Sequence, residues 1–500
     1  MKMIFALIII SVFSVYGSFA QTSSLKITTS VSNEIKSELK SKGRILLFVN
    51  SRSKEPRRST WPHKSNLIFA TNIENWNGQT FTFDQSVKLV KSRQITLDNI
   101  PNGKYYVQVL WDQNFLESRI NAPGNFHSNV VEIELNGSTT LDLPLTKIIE
   151  PIKLAEHELL KEVDIKSEIL SDWWGKDMHL KAAVILPRNY FKENKKYPVR
   201  YNIAGYGGRY TRASRFLRDM EWWQSEEAPE VIQVYLDGEG PFGDCYQLDS
   251  ENSGPYGKAL TEELIPYLEK EFRGIGTPET RFVDGCSTGG WVSLALQLVY
   301  PDFFGGCFSY SPDQVDFEHC QLVNIYKDEN AFINEHGYLR PLVREVTGEP
   351  IISQKDFIQY ENVLGYSDTY VTSGGQFSAF TALFSPKGED GFPKPMFDPI
   401  TGDIDREVTE HWRKYDLKDY VETNWETLGP KIQDKIWIWG ADMDNFYLNP
   451  ALRSFDEMLQ QQNNPTSDAQ ISFTPMAGHC QEYSHKKVLL QIKEKLNSSK

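Results

Sequence analysis

Three short segments carry residue types that together can perform nucleophilic catalysis. Residues 285–289 match the pattern Gly-x-Ser-x-Gly, with Ser287 at its centre. A serine hydroxyl is a weak nucleophile, so a histidine must accept its proton and a carboxylate must orient that histidine. Asp442 and Asp444 follow one late apolar run, and His479 follows the next. The order serine, acid, histidine therefore predicts acyl transfer through a covalent intermediate.

The acid and the base of this predicted triad each have an alternative. From the residues alone, both Asp442 and Asp444 are candidates for the acid, because both follow the same apolar run. We expect His479 to be the base, since it follows a glycine at the required place in the chain. His485, six residues later, is the alternative base.

The segment around Ser287 has the pattern of a strand, a sharp turn and a helix. Phe282 and Val283 form a short apolar run before the motif. An apolar segment with helical spacing follows it, with Trp291, Leu294, Ala295 and Leu298 on one face. A nucleophile elbow needs this context, because small flanking residues let the strand and the helix pass closely.

A catalytic serine of this kind also needs backbone donors for the oxyanion that its attack creates. One donor is expected from Thr288, the residue after the nucleophile. The other is expected from Tyr206, in the glycine-rich segment 205–208 that follows an apolar run. An ordinary glycine turn is the alternative interpretation of that segment.

Two parts of the chain differ in their predicted elements. Residues 21–148 contain short β-rich runs separated by turn residues, which predicts an all-β, two-sheet sandwich without a catalytic cluster. The runs are 45–49, 80–83, 94–97, 104–111 and 130–135. From about residue 166, strands alternate with helices, which is typical of a mostly parallel sheet. We expect an insertion at 313–430 to form a cap over the site.

The first twenty residues predict export. Lys2 precedes an apolar core that ends in a small-x-small cleavage site at residues 18–20, which indicates a signal peptide and a secreted or periplasmic protein. The formal net charge of −14 disfavours nucleic acid and anionic membrane as partners. No other segment is apolar enough to predict a membrane span. The sequence does not indicate an oligomeric state.

Cysteines flank two of the candidate catalytic residues. Cys286 precedes Ser287 and Cys480 follows His479. If serine and histidine share a hydrogen bond, these cysteines come within disulfide range, and an exported protein can keep such a bridge oxidised. The remaining cysteines, Cys245, Cys307 and Cys320, are an odd set to which we assign no bridge.

Several motifs resemble the putative-esterase family of α/β-hydrolases, which includes esterase D, S-formylglutathione hydrolase and feruloyl or acetyl xylan esterases. The resemblance covers residues 170–310 and 431–495 and is carried by segments 186–191, 196–208, 285–290 and 300–305. It implies an α/β-hydrolase three-layer sandwich at 149–500, preceded by an accessory domain. The segment after Asp444 resembles the family's acid loop, which favours Asp444 over Asp442. These relatives usually carry His-Gly where this chain has Ala204-Gly205.

Two weaker resemblances concern single segments. Residues 102–109 are similar to a strand of the immunoglobulin-like domains attached to secreted enzymes, which implies an Ig-like fold for residues 21–148. The Cys-Ser, Asp and His-Cys arrangement resembles that of the tannase and fungal feruloyl esterase family, which carries a bridge at these positions.

Together these observations predict a secreted serine esterase that needs no metal and no cofactor. The triad is expected to be Ser287, His479 and Asp444, with an acyl-enzyme intermediate. The family resemblance implies a small-molecule or polysaccharide ester, acetyl or feruloyl, on a carbohydrate. The alternatives are a serine peptidase and a non-catalytic carbohydrate-binding protein on a hydrolase fold.

Overall fold

The computed structural model describes residues 21–498. The expected signal peptide, residues 1–20, lies outside the described residues. An all-β part comes first in the chain and a part with alternating strands and helices follows it. The strands of the first part are β1 (Thr22–Thr29), β2 (Gly43–Asn50), β3 (Asn66–Ile73), β4 (Phe81–Phe83), β5 (Val90–Lys91), β6 (Ile100–Pro101), β7 (Gly103–Asp112), β8 (Phe126–Ser128), β9 (Val131–Leu135), β10 (Ser138–Asp142) and β11 (Leu145–Ile148).

These strands form two sheets over one core. The first sheet has the order β10-β1-β4, with β6 also paired to β1; the second has the order β11-β8-β7-β2-β3-β5, with β9 paired to β7. Leu25 and Ile27 of the first sheet and Leu47 and Val109 of the second belong to the same buried cluster. Every residue of β2 is buried, which explains its unbroken apolar run: both faces of this strand are covered.

Four of the five predicted β runs in this part of the chain coincide with strands, and the run at residues 94–97 was predicted wrongly. Residues 94–97 form an irregular segment that ends in a turn. Leu97 is nevertheless buried, and its carbonyl accepts a hydrogen bond of 2.7 Å from the Leu25 amide. The apolar pattern therefore reflects core packing. The regular strand pairing with β1 on this side is made by β6, which begins three residues after Leu97.

The second part of the chain contains fourteen strands and eleven α-helices. The strands are β12 (Leu160–Ser167), β13 (Met178–Ile185), β14 (Val199–Ile203), β15 (Ile232–Leu236), β16 (Glu239–Gly240), β17 (Gly243–Asp244), β18 (Asp249–Ser250), β19 (Gly254–Pro255), β20 (Arg281–Ser287), β21 (Gly306–Pro312), β22 (Pro341–Arg344), β23 (Pro350–Ser353), β24 (Ile436–Ala441) and β25 (Gln470–Thr474). The helices are α1 (Glu168–Trp174), α2 (Met220–Trp223), α3 (Tyr256–Ala259), α4 (Ile265–Glu271), α5 (Thr288–Val299), α6 (Gln354–Leu364), α7 (Gln376–Phe384), α8 (Arg406–Trp412), α9 (Leu417–Leu428), α10 (Asn449–Gln460) and α11 (His485–Ser498). These counts refer to the described residues 21–498.

Eight of these strands form one central sheet with the order β12-β13-β15-β14-β20-β21-β24-β25. The first two pairings, β12 with β13 and β13 with β15, are antiparallel, and all the later ones are parallel. Strand β20, which ends at Ser287, therefore lies between β14 and β21. The carboxyl ends of β14, β20, β21 and β24 meet at one edge of the sheet, where open α/β sheets bind their ligands.

Helix α5 leads directly out of Ser287 and packs on β14, β20 and β21. All of its residues from Thr288 to Leu298 are buried, which agrees with its apolar sequence. Helix α3 begins at Tyr256 and continues through a π-helical turn at Leu260–Leu264 into α4.

The segment between β21 and β24 contains the β22–β23 hairpin and helices α6 to α9. Tyr360 and Val363 of α6 pack against Phe48 and Ile68 on the outer face of the second β sheet, in a cluster that also includes Leu46, Ala70, Leu110 and Ile120. The N-terminal part is thus joined to the second part through an apolar interface.

Candidate active site

Ser287 lies at a sharp turn between β20 and α5. Its φ of 62° and ψ of −127° are uncommon for a residue with a side chain, and strain of this kind is concentrated at functional sites. Gly285 and Gly289 permit the turn. A Cβ on Gly285 would lie 2.4 Å from the Gly289 carbonyl carbon, and one on Gly289 would lie 2.3 Å from the Ile203 oxygen. The glycines of the sequence motif are therefore required by close backbone contacts.

His479 and Asp444 form a buried pair. The Nδ1 atom of His479 lies 2.7 Å from Oδ2 of Asp444, and Oδ1 of that carboxylate accepts a hydrogen bond of 2.8 Å from the Phe446 amide. The His479 amide donates to Oδ1 of Asn445 at 2.9 Å, which fixes the histidine loop to the acid loop. Both loops follow neighbouring parallel strands, β24 and β25, so the sheet itself brings the two side chains together.

The alternative acid and base have other partners. Asp442 forms an ion pair with Arg453, and its side chain is 30% exposed. His485 lies 3.0 Å from the Arg200 guanidinium. Burial, together with Arg200 and Arg212, lowers the pKa of His485 well below its usual value, so this imidazole is held neutral beside two cations. The geometry brings Asp444, and not Asp442, to a histidine of the predicted triad.

The environment of His479 favours its protonated form. Burial lowers its pKa, but the charge and hydrogen bond of Asp444 raise it, and the Asp313 carboxylate raises it further. The net result is a pKa above the usual value for histidine. Such an imidazole is a stronger base towards a hydroxyl proton and stays protonated to higher pH.

Ser287 and His479 line the same cleft but are not hydrogen-bonded to each other in this structure. The Ser287 hydroxyl donates to Oδ1 of Asp313 at 3.4 Å. Among the described residues, Nε2 of His479 is a buried atom without a hydrogen-bond partner. This nitrogen would be the acceptor of the serine proton. Its lack of a partner is compatible with a catalytic hydrogen bond that forms only when substrate is bound.

Asp313 is a site residue that the sequence analysis missed. It follows β21, the strand beside the elbow strand, and is 6% exposed. Its Oδ2 accepts hydrogen bonds of 3.0 Å from both Tyr246 and Thr288 hydroxyls and one of 3.4 Å from Gln376. Burial raises its pKa to about 6, against the opposing effects of His479 and these donors. The sequence contained one signal for this residue: a carboxylate directly after the strand that neighbours the elbow strand.

The two residues expected to bind the oxyanion lie beside Ser287. Thr288 is buried at the start of α5. Gly205 contacts the elbow so closely that a Cβ there would lie 3.2 Å from the Cys286 carbonyl oxygen. Tyr206 follows, and its hydroxyl donates to the Gly374 carbonyl at 2.9 Å. Residues 205–208 thus run alongside the nucleophile. We call them the oxyanion loop, after the role expected for them from the sequence.

A residue of the N-terminal part also contacts the oxyanion loop. Nη1 of Arg119 donates to the Gly207 carbonyl at 2.5 Å, and its guanidinium lies 5.7 Å from the centre of the Tyr206 ring. Nε of the same side chain lies 3.1 Å from the buried Glu239 carboxylate. Burial raises the pKa of Glu239 to about 8, against the opposing charges of Arg119 and Arg209.

The structure joins Cys286 and Cys480 in a disulfide with a Cα–Cα distance of 5.9 Å. The bridge connects positions 194 residues apart and ties the elbow to the histidine loop. Cys245, Cys307 and Cys320 are buried and unpaired within residues 21–498.

The cleft that contains these groups has a volume of about 930 Å³. One wall is aromatic, and five rings contribute to it: Trp61, Phe357, Phe377, Phe380 and Phe446. Phe357, Phe377 and Phe380 belong to the insertion, and Phe446 follows β24. Trp61 comes from the N-terminal part of the chain. A mostly apolar cleft with a few convergent polar groups is typical of a small-molecule site.

Two further findings concern the described residues only. In residues 21–498, no group of three or more His, Cys, Asp and Glu side chains is arranged to bind a metal ion. No helix in this range is long and apolar enough to cross a membrane.

Fold and site together define an α/β-hydrolase-like protein with an elbow serine. Residues 175–336, less than half of the chain, match the family described as putative esterase. The match begins before β13 and includes the oxyanion loop and the elbow. It confirms the resemblance expected from the sequence, and with it the prediction of a carboxylic ester hydrolase. No curated protein is significantly similar to the chain.

Solved structures are also similar to this chain, at low identity. A ferulic acid esterase is 18% identical, with 67% of this chain and 98% of that chain covered and a TM-score of 0.42. FphF, a fluorophosphonate-binding serine hydrolase of Staphylococcus aureus, is 15% identical, with 68% and 98% covered and a TM-score of 0.40. An S-formylglutathione hydrolase from Agrobacterium tumefaciens is 14% identical, with 68% and 93% covered and a TM-score of 0.38.

Proposed function

We propose that the protein is a serine carboxylic-ester hydrolase in which Ser287, His479 and Asp444 form the catalytic triad. The observation that carries this proposal is the His479–Asp444 pair, 2.7 Å apart, in the same cleft as the elbow serine. The disulfide between the neighbours of Ser287 and His479 supports it, because it constrains the two residues to adjacent positions.

The proposed reaction has two steps of the same kind. His479 accepts the Ser287 proton at Nε2 as Oγ attacks the ester carbonyl carbon, and then gives that proton to the departing alcohol oxygen. Water next attacks the acyl-enzyme; His479 accepts a proton from it and returns one to Oγ as the acid leaves. Asp444 orients the imidazole and stabilises its cation in both steps.

The oxyanion formed in each step is bound by backbone amides of Tyr206 and Thr288 in this proposal. Such donors stabilise charge that develops only in the transition state, so they raise the rate of the chemical step. The close contact between Gly205 and the elbow supports the assignment, since Tyr206 directly follows Gly205 in the chain.

For the substrate, we propose an acetyl or feruloyl ester of a carbohydrate. The aromatic wall of the cleft supports a ring-bearing substrate, because apolar and aromatic surfaces bind flat rings well. No metal or cofactor has a place in this mechanism.

The organisation of the chain is part of the same proposal. Residues 1–20 act as a signal peptide, residues 21–148 form an immunoglobulin-like domain, and residues 149–500 form the three-layer esterase domain. Residues 313–430 act as a cap, which is supported by the insertion residues Leu342, Phe357 and Phe377 in the wall of the cleft.

Hydrolysis of phenyl acetate and methyl ferulate by residues 21–500 tests this proposal. We expect Ser287→Ala to lower kcat by about 10⁴-fold or more, because the covalent route is lost. Ser293→Ala is the matched control: this serine lies in α5 and donates to the Gly290 carbonyl, so its loss should leave kcat unchanged. Equal turnover by wild type and Ser287→Ala would refute the assignment of Ser287.

A further inference from the structure

The aromatic wall of the cleft runs from the proposed catalytic base to the N-terminal domain. The Phe446 ring lies 4.8 Å from the His479 imidazole, nearly perpendicular to it. The centre of the Trp61 indole lies 6.1 Å from the centre of the Phe446 ring and 5.5 Å from that of Phe357, in both cases edge to face. Trp61 belongs to the loop between β2 and β3, so the β domain extends the wall that begins at His479.

Trp61 is exposed in the cleft and yet held in place. Its side chain is 47% exposed, although it contacts two other rings. Its loop is fixed on both sides: the Ser59 carbonyl accepts a hydrogen bond from the Asn66 amide group, and the His63 carbonyl accepts one of 2.5 Å from the Tyr360 hydroxyl. A large aromatic surface that is open but preorganised binds a ligand with little loss of conformational freedom.

The position of this wall relative to His479 indicates which part of an ester it would contact. In acylation, the imidazole gives its proton to the departing alcohol oxygen, so the alcohol must lie on the side of the histidine. Phe446 packs on His479, and Trp61 packs on Phe446. A ring in the alcohol part of the substrate would therefore meet Phe446 first and Trp61 next.

We propose that Trp61 of the N-terminal domain forms a ring-binding subsite for the alcohol part of the ester substrate, either an aryl ring or the apolar face of a sugar. This inference rests on the proposed function, because it uses His479 as the group that protonates the alcohol. It gives the β domain a direct role in substrate choice and makes Trp61 a specificity-determining residue.

The test compares kcat/KM of wild type and Trp61→Ala on four esters. Phenyl acetate and an acetylated methyl xyloside carry a ring in the alcohol, methyl cinnamate carries one in the acyl group, and ethyl acetate carries none. Comparing the two proteins on one substrate at a time cancels differences in chemical reactivity. Trp61→Phe is the matched control, since it keeps an aromatic face, and thermal unfolding of each variant monitors folding.

We expect Trp61→Ala to lower kcat/KM about 10-fold on the two ring-bearing alcohol esters, mainly through KM, and to leave the other two within about twofold. Trp61→Phe should recover most of the loss. A loss on methyl cinnamate alone, an equal loss on all four esters, or no loss on any would overturn the proposal. Absence of Ser287-dependent hydrolysis in wild type would instead refute the proposed function itself.

Discussion

Two carboxylates act on His479 from different elements. Asp444 contacts Nδ1 directly. Asp313 accepts a hydrogen bond from the Ser287 hydroxyl and raises the pKa of His479 through its charge. A negative charge near the imidazole stabilises the cation that forms when the serine proton is transferred. Asp313 is therefore expected to assist catalysis from the serine side of the site.

We expect Asp313→Asn to move the acidic limb of the kcat/KM profile to lower pH and to lower the plateau about 10-fold. The direction follows from charge: Asp313 raises the pKa of His479, so its removal lowers the pKa, and the neutral base persists to lower pH. The limb should also become less steep. Asp313 has a pKa of about 6 and titrates with His479 in wild type, but not in the variant.

The measurement is the pH dependence of kcat/KM for phenyl acetate. Asn keeps an oxygen that can accept the hydrogen bonds of the Tyr246 and Thr288 hydroxyls, so these two buried donors keep an acceptor. Asp442→Asn is the matched control, since that carboxylate pairs with Arg453 and is not bonded to the triad. An acidic limb in Asp313→Asn that coincides with that of wild type would contradict the role given to Asp313.

Residues of the N-terminal part of the chain contact the oxyanion loop and the residue that follows it. Arg119 binds the Gly207 carbonyl and Glu239, and Glu117 binds Arg209 at 2.9 Å, directly after the loop. Gly207 has a φ of 84°, which a residue with a side chain rarely adopts, so this position of the loop requires glycine. We expect Arg119 to act as a positioning residue, through its hydrogen bond to the backbone of the loop.

We expect the double variant Arg119→Met/Glu239→Gln to lower kcat about 10-fold with little change in KM, because a displaced loop weakens oxyanion binding in the transition state only. Changing both residues avoids leaving an unpaired buried carboxylate. Glu239→Gln alone is the control, since it retains the contact between Arg119 and Gly207. The measurement is kcat and KM on ethyl acetate, and thermal unfolding monitors the folding of each variant. The same kcat in the double variant and in Glu239→Gln would contradict the role expected for Arg119.

The local sequence pattern was sufficient to predict the elements that position the proposed triad. The elbow at Ser287, the strands before Asp444 and His479, and the cysteine pair all follow from nearby residue types and chain order. Trp61 and Arg119 could not be predicted in this way. The roles proposed for them depend on contacts with Phe446 and Gly207, which are distant in the sequence, and nothing in their local segments indicates those partners.

The interface between the two parts of the chain is apolar and also contains hydrogen bonds. Tyr360 and Val363 of α6 pack on the outer face of the second β sheet. The buried Arg44 donates from Nε to the Val363 carbonyl at 3.0 Å, and the Asn72 amide group donates to the Tyr366 carbonyl at 2.6 Å. An interface of this kind resembles a domain core more than a transient contact.

We therefore expect the two parts to remain associated when the connecting chain is cut. A cleavage site for a sequence-specific protease, inserted between Glu150 and Pro151, lies in an exposed segment. After cleavage, both fragments should co-elute in size-exclusion chromatography, because the apolar interface does not depend on the linker. Phe48→Asp, which puts a charge into this interface, is the comparison and should weaken the association. Separate elution of the cleaved wild-type fragments would contradict the expected interface.

Covalent trapping of the nucleophile tests the proposed role of Ser287. Residues 21–500 would be treated with a fluorophosphonate, and the adduct would be located by intact mass and peptide mapping. We expect a single adduct on Ser287, formed much more slowly in His479→Ala and absent in Ser287→Ala, because only an activated serine reacts rapidly. An adduct on another residue, or one that persists in Ser287→Ala, would contradict the assignment of this site.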